Sequence, residues 1–254
     1  MATFTSSTNG NLADGATYGN TSPGTRGVDF PGDDDVLVVD SGDTVTMNAD
    51  ATIGSVDIQG TLTTDGTART LTLDDGGQGY ICEHRGTVST TINLTINSNY
   101  AGDRLIRLNN GGNGNFNNVS ITLQSTSRKL TIGTEAASIG GNLTIAQGEF
   151  NTDSSNNYAL TVTGATTIGD GSSSADTATL TCNASTISLG SGVTGAHSLV
   201  IQAGGTFVGG TGTHTLGSLN IKNSTAAKCT LTSGNTTING EHGSSSKAIN
   251  IEGS

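Results

Sequence analysis

The sequence predicts an all-β chain, a single-stranded right-handed parallel β-helix (β-solenoid) with coils of about 20 residues and an irregular N-terminal arm. Three observations lead there. Alternating apolar-polar-apolar triplets such as Leu71-Thr72-Leu73 and Leu143-Thr144-Ile145 recur along most of the chain. Clusters of Gly, Asn, Asp and Ser separate them, the residues that make tight corners. The composition, with 38 Gly, 2 Pro, no Trp and 4% aromatic residues, suits many short strands around a thin core rather than a thick globular one. In each triplet the pleat turns the two outer side chains to one face and the middle one to the other.

Residues 1–30 form the first unit, an N-terminal arm or cap, with few apolar residues: Phe4, Leu12, Tyr18, Val28 and Phe30. Pro23 and Pro31 lie in it or at its edge, where a missing N–H does least harm to a sheet. A solenoid needs such an atypical end, because an uncovered coil exposes an apolar cross-section and a strand edge. Residues 31–254 form the second unit, the solenoid. It opens on Pro31–Leu62, which reads as the strands Val36–Val39 and Thr44–Met47 followed by Ile53-Gly54-Ser55-Val56-Asp57-Ile58-Gln59-Gly60-Thr61-Leu62.

Triplets then follow through Leu94-Thr95-Ile96, Ile121-Thr122-Leu123, Leu160-Thr161-Val162, Leu180-Thr181-Cys182, Leu199-Val200-Ile201 and Leu219-Asn220-Ile221 to Ile249-Asn250-Ile251. From Leu143 to Leu219 they step by 17, 20, 19 and 20 residues, too short for a helical-hairpin repeat. Ile53-Gly54-Ser55-Val56-Asp57-Ile58 is echoed by Leu216-Gly217-Ser218-Leu219-Asn220-Ile221. An array of β-sandwiches is the alternative fold. The Asn/Gly-rich stretch from Asn109 to Asn118 reads as an extended corner or bulging loop, and the chain stops just after a triplet with no recognisable cap. That ending is expected of a fragment, or of an end covered by a partner.

The net charge of −11, with ten Lys and Arg scattered along the chain, argues against binding nucleic acid or an anionic membrane surface. No apolar run approaches a membrane span. The N-terminus MATFTSSTNGNLADG lacks the basic and apolar regions of a secretion signal. Cys82, Cys182 and Cys229 match no metal spacing and read as small buried apolar residues, with a disulfide as the alternative.

Candidate chemistry is sparse. Asp33-Asp34-Asp35 is the densest acidic run, but successive strand residues point to opposite faces, so it reads as a turn. Asp74, Asp75, Glu83, His84 and Arg85 form a second concentration, weighed as a cleft beside the Gly76-Gly77-Gln78-Gly79-Tyr80 segment and as corner charges, the second being the expectation. Cys82-Glu83-His84 holds too few ligands for a metal site. Gly111-Gly112-Asn113-Gly114-Asn115 resembles the calcium-binding nonapeptide of repeat toxins, but Phe116 stands where that repeat needs Asp. No catalytic, cofactor-binding or metal-binding residue is expected.

The order of residues from Gly10 to Leu62 resembles an N-terminal motif of β-solenoid surface proteins of bacteria and tailed phages. The matching elements are Gly10-Asn11, Asp14, Ala16-Thr17, Pro31-Gly32, Asp35-Val36, Gly42, Thr44-Val45-Thr46, Ile53-Gly54-Ser55-Val56, Ile58, Gly60 and Leu62. That family has two tryptophans in its leader, where this chain has Leu12 and Tyr18. The resemblance implies a virion-exposed or extracellular structural and adhesive role. The expected function is therefore a non-enzymatic structural virion protein of a tailed phage, a tail spike or fibre segment or a capsid decoration protein. Its expected partners are other virion proteins reached through the arm, a host-surface glycan, and two further copies in a homotrimer, with no membrane insertion. The alternatives are a fragment of a bacterial cell-surface adhesin, or a polysaccharide lyase or hydrolase on the same fold.

Overall fold

The computed structural model describes residues 1–74, 79–108, 114–171, 177–190, 198–222, 227–231, 235–239 and 248–252. Strands form where the sequence alternates. The opening stretch divides into Val36–Val39, Thr44–Met47, Ala51–Ile53, Ser55–Ile58 and Thr61–Thr64. Asp34, before the first of them, and Gly42, between the first two, hold turns at φ of 63° and 92°, a left-handed conformation that Asp tolerates and Gly adopts freely. Helix among the described residues is limited to the 3-10 turn Gly15–Tyr18, in which the Ala16 amide donates to the Asp14 carboxylate at 3.0 Å.

Every pairing between these strands is parallel. That excludes the β-sandwich alternative, whose sheets are antiparallel. The strands fall into three stacks, which the chain visits in the order first, second, third over most of its described length. The first holds Thr3–Thr5, Val36–Val39, Ser55–Ile58, Tyr80–His84, Arg104–Arg107 and Lys129–Ile132, and continues to Lys228–Thr230. The second is in two parts, Gly10–Asn11 to Thr87–Val88 and Ala137–Ile139 to Thr236–Ile238. The third runs from Ala51–Ile53 to Ile249–Ile251. Long parallel sheets with almost no helix are consistent with a β-helix. One long strand, Leu143–Asn151, serves both the third and first stacks and bends at Gly148, where φ is 88°.

Buried side chains from all three stacks make one apolar cluster. In the first stack Phe4, Leu37, Val56, Cys82, Ile106 and Ile132 follow one another in register. Farther along, Leu130, Phe150, Leu180 and Phe207 do the same. The alternation seen in the sequence is visible in burial: Leu160 and Val162 are buried and Thr161 between them is exposed.

Repeat length departs from the expected 20 residues. The offset is 19 for Val36 opposite Ser55 but 33 for Thr166 opposite Leu199. The even steps in the sequence joined different stacks, since Leu143 and Leu199 lie in the third, Leu160 in the second and Leu180 in the first. Ladders constrain the strands, whereas corners on the surface take any length. The echo of Ile53–Ile58 in Leu216–Ile221 likewise marks a corner sequence. It turns from the third stack into the first in one case and from the second into the third in the other.

The leader is built into the stacks. Thr3–Thr5 pairs with Val36–Val38, and Gly10–Asn11 with Val45–Thr46. Phe4, Leu12 and Tyr18 are buried, Tyr18 packs edge-on to Phe4, and its hydroxyl donates to the Leu12 carbonyl at 3.0 Å. Leu12 and Tyr18 thus anchor the leader in the core. Residues 109–113 of the Asn/Gly-rich stretch lie outside the described residues, but Phe116 within it is fully buried. Beside it Asn93, Asn118 and Asn142 form a ladder. The Asn93 Oδ1 accepts from Asn118 Nδ2 at 2.8 Å, and the Asn118 Oδ1 accepts from the Asn142 backbone at 2.9 Å. Such a ladder satisfies corner amides that strand pairing leaves open.

Candidate functional site

The outer face of the first stack carries a groove of about 390 Å³ where the leader strand meets Val36–Val39, Ser55–Ile58 and Tyr80–His84. Alternation decides which side chains line it. Leu37, Val56 and Ile58 turn into the core, so Val36, Val38, Ser55 and Asp57 turn outward. Register places Val36 opposite Ser55, and Val38, Asp57, Glu83 and Arg107 in a row across four strands. The floor is therefore apolar at one end and charged at the other.

The charges are paired within the site. One Arg85 nitrogen donates to Glu83 Oε2 at 2.8 Å and to Asp57 Oδ2 at 3.2 Å. Arg107 lies 3.9 Å from Glu83 and donates to Glu135 at 2.6 Å. Gln59 also donates to Asp57 Oδ2, at 2.8 Å. Asp57 Oδ1 and Ser55 Oγ are buried with no hydrogen-bond partner, and Ser55 is only 2% exposed. A buried polar atom without a partner costs about 1–3 kcal/mol, and two such atoms stand two residues apart on the groove floor.

Of the residues weighed from the sequence, Glu83 and Arg85 belong to this groove and Asp74 does not. Asp74 follows the third-stack strand Arg69–Leu73, with its backbone bonded to Ile53 and Asn99. Asp75 and the segment 76–78 lie outside the described residues. The three carboxylates of Asp33-Asp34-Asp35 diverge. Asp33 pairs with Arg26 at 2.6 Å, while Asp35 is buried and accepts from the Ala2 and Gly32 amides at 2.6 and 3.0 Å. Ser55, Asp57, Val36 and Val38 were not picked out as site residues, because only the pairing register brings them together.

No family model, curated protein or solved structure matches the chain. The groove therefore has to be read from its own chemistry. Among the described residues no three His, Cys, Asp or Glu side chains converge as metal ligands. Cys82 and Cys182 are buried free thiols, and desolvation pushes both well above the ordinary thiol range, which makes them poor nucleophiles.

His84 belongs to the core rather than to the groove. It is fully buried, its Nε2 lies 3.0 Å from the Gly86 carbonyl, and it packs edge-on to Phe116. His214 repeats the arrangement against Phe207, with Nδ1 3.2 Å from the Thr236 hydroxyl. His197 and His242 lie outside the described residues. Burial pushes both core imidazoles below their ordinary value. The unfolded chain then binds more protons than the folded one as pH falls below about 6.5, so stability is complete above that pH and declines below it. Chemical denaturation from about pH 7.5 to 5 should show the midpoint falling. The double variant His84→Gln, His214→Gln should flatten that slope even where it lowers stability at pH 7.5. An unchanged slope would refute the role of these two groups.

Proposed function

We propose that the chain is a non-enzymatic structural protein of a tailed-phage virion, a spike or fibre segment or a capsid decoration protein. Its architecture in this reading is a right-handed single-stranded β-helix. Parallel crossovers within one sheet are right-handed in about 98% of cases. One observation carries the reading: from Thr3 to Ile251 the chain returns in turn to the same parallel stacks. About ten strands in the first stack, spaced roughly 4.8 Å apart, make a rod about 50 Å long. A rod offers surface along its flank, which suits a display element. The charge of −11 keeps such a β-rich surface soluble. The order Pro31-Gly32 … Gly42 … Ile53-Gly54-Ser55-Val56 also supports it, through its likeness to bacterial and phage surface solenoids.

In this reading the exposed face of the leader joins the rod to other virion proteins, and three copies associate. Sedimentation equilibrium of the purified chain should give a trimer. Cryo-electron microscopy of the source particle, with an antibody to the chain, should place rods on its tail or capsid. A monomer found on no particle overturns the proposal, and label on a cell envelope would replace it with the adhesin. Loss of glycan depolymerisation in Glu83→Ala would replace it with the enzyme.

A further inference from the structure

We propose that the groove bounded by Thr3, Val36, Ser55, Asp57, Glu83 and Arg85 is a binding site for an uncharged, hydroxyl-rich ligand, a pyranose residue of a cell-surface glycan. Only the source of the sugar rests on the surface-display reading. The binding chemistry stands on the groove.

The volume is in the range of small-molecule sites, about 300–1,000 Å³, at 390 Å³. Its charged groups are already engaged with one another. Asp57 and Glu83 repel a phosphate or carboxylate, while Arg85, within 3.2 Å of both, already fills the place between them that a metal ion or an amine would take. What remains is a set of directional acceptors and donors.

The two unpartnered atoms define what is needed. Asp57 Oδ1 is acceptor-only and requires a donor, whereas Ser55 Oγ both donates and accepts. They stand on the same face of one strand, two residues apart and so roughly 6.6 Å along it. A molecule with several hydroxyls supplies a donor to Asp57 and an acceptor or donor to Ser55 in one pose. Val36 and Val38 at the other end of the floor meet the C–H face of a sugar ring. Arg85 holds the Asp57 and Glu83 carboxylates in place before binding, so little order is lost when the ligand arrives.

The test is saturation-transfer NMR on the full-length chain with the methyl glycosides of glucose, galactose and mannose. N-acetylneuraminic acid and glucosamine serve as anionic and cationic controls. At least one neutral glycoside should bind more tightly than both controls. Ser55→Ala and Asp57→Ala should each weaken it by about tenfold or more, as expected for loss of a buried hydrogen bond, one of them to a charged group. Glu149→Gln, remote from the groove, should not. Melting temperatures are taken alongside. If Asp57→Ala does not fold, Ser55→Ala carries the same test. Binding by none of the neutral glycosides, preference for a charged control, or affinity unchanged in a folded groove variant each overturns the proposal. Particle location is unaffected by any of these results, so this failure is distinguishable from failure of the virion reading.

Discussion

Replacing Phe150 by alanine should lower the free energy of unfolding by about 3–5 kcal/mol, the cost of emptying a large buried site that cannot collapse. Phe150 is fully buried and sits between Leu130 and Leu180 in the first stack. Those neighbours are held by backbone ladders at the spacing of paired strands, so they cannot close on the cavity. Each repeat also depends on the one beside it, so a mid-stack loss weakens the coupling between the two halves. Guanidinium unfolding should show the lower midpoint, and a second transition if the halves separate. Ile249→Ala is the contrast. Ile249 is 52% exposed on the last described strand, and its truncation should change stability by less than about 0.5 kcal/mol. Equal effects at the two positions would rule out a core organised by these ladders.

Gly86→Ala should destabilise by about 1–3 kcal/mol although it adds one methyl group. An added Cβ at Gly86 would fall within the contact distance of the Gly60 and Gln59 carbonyl oxygens. Gly60 meets the Asp40 and Asp43 carbonyls in the same way, one strand earlier. These corners are closed by paired amides: Gln59 and Gly60 both donate to the Val39 carbonyl, and Arg85 and Gly86 to that of Ile58. Repeats one strand apart leave no room for a side chain between such corners. Gly66→Ala separates this clash from glycine's conformational freedom, because Gly66 has φ of 94° but open space at its Cβ position. Thermal unfolding should show the larger loss at Gly86. A loss at Gly66 as large as that at Gly86 would put the cost in backbone strain rather than in the stacking of corners.

How much of this was legible differs by level. Strands such as Val36–Val39 and Thr44–Met47 could be read directly, because a period-two pattern bounded by Gly and Asp has few other readings. The parallel stacking also followed from the repetition. Partner assignment did not. Leu143, Leu160 and Leu180 look alike in sequence, yet they occupy three different stacks. Apolar alternation says that a side chain turns inward, and not which neighbour it meets there. Phe116, in a stretch dominated by Asn and Gly, is a core residue whose neighbour in the fold, His84, its own surroundings in the sequence do not announce.

The groove shows the division most sharply. Glu83 and Arg85 stood out as neighbouring charges, one on the strand Tyr80–His84 and the other just past its end. Asp57 was legible only as the outward residue of a triplet, and Ser55 not at all. What the chain's own order determined is the alphabet of the fold: short alternating strands and left-handed corners. The tertiary structure alone decided which strands stack, because register is set by side chains from repeats 17 to 35 residues apart. Burial of Ser55, the ion pairs of Arg85 and the groove between them all descend from that register.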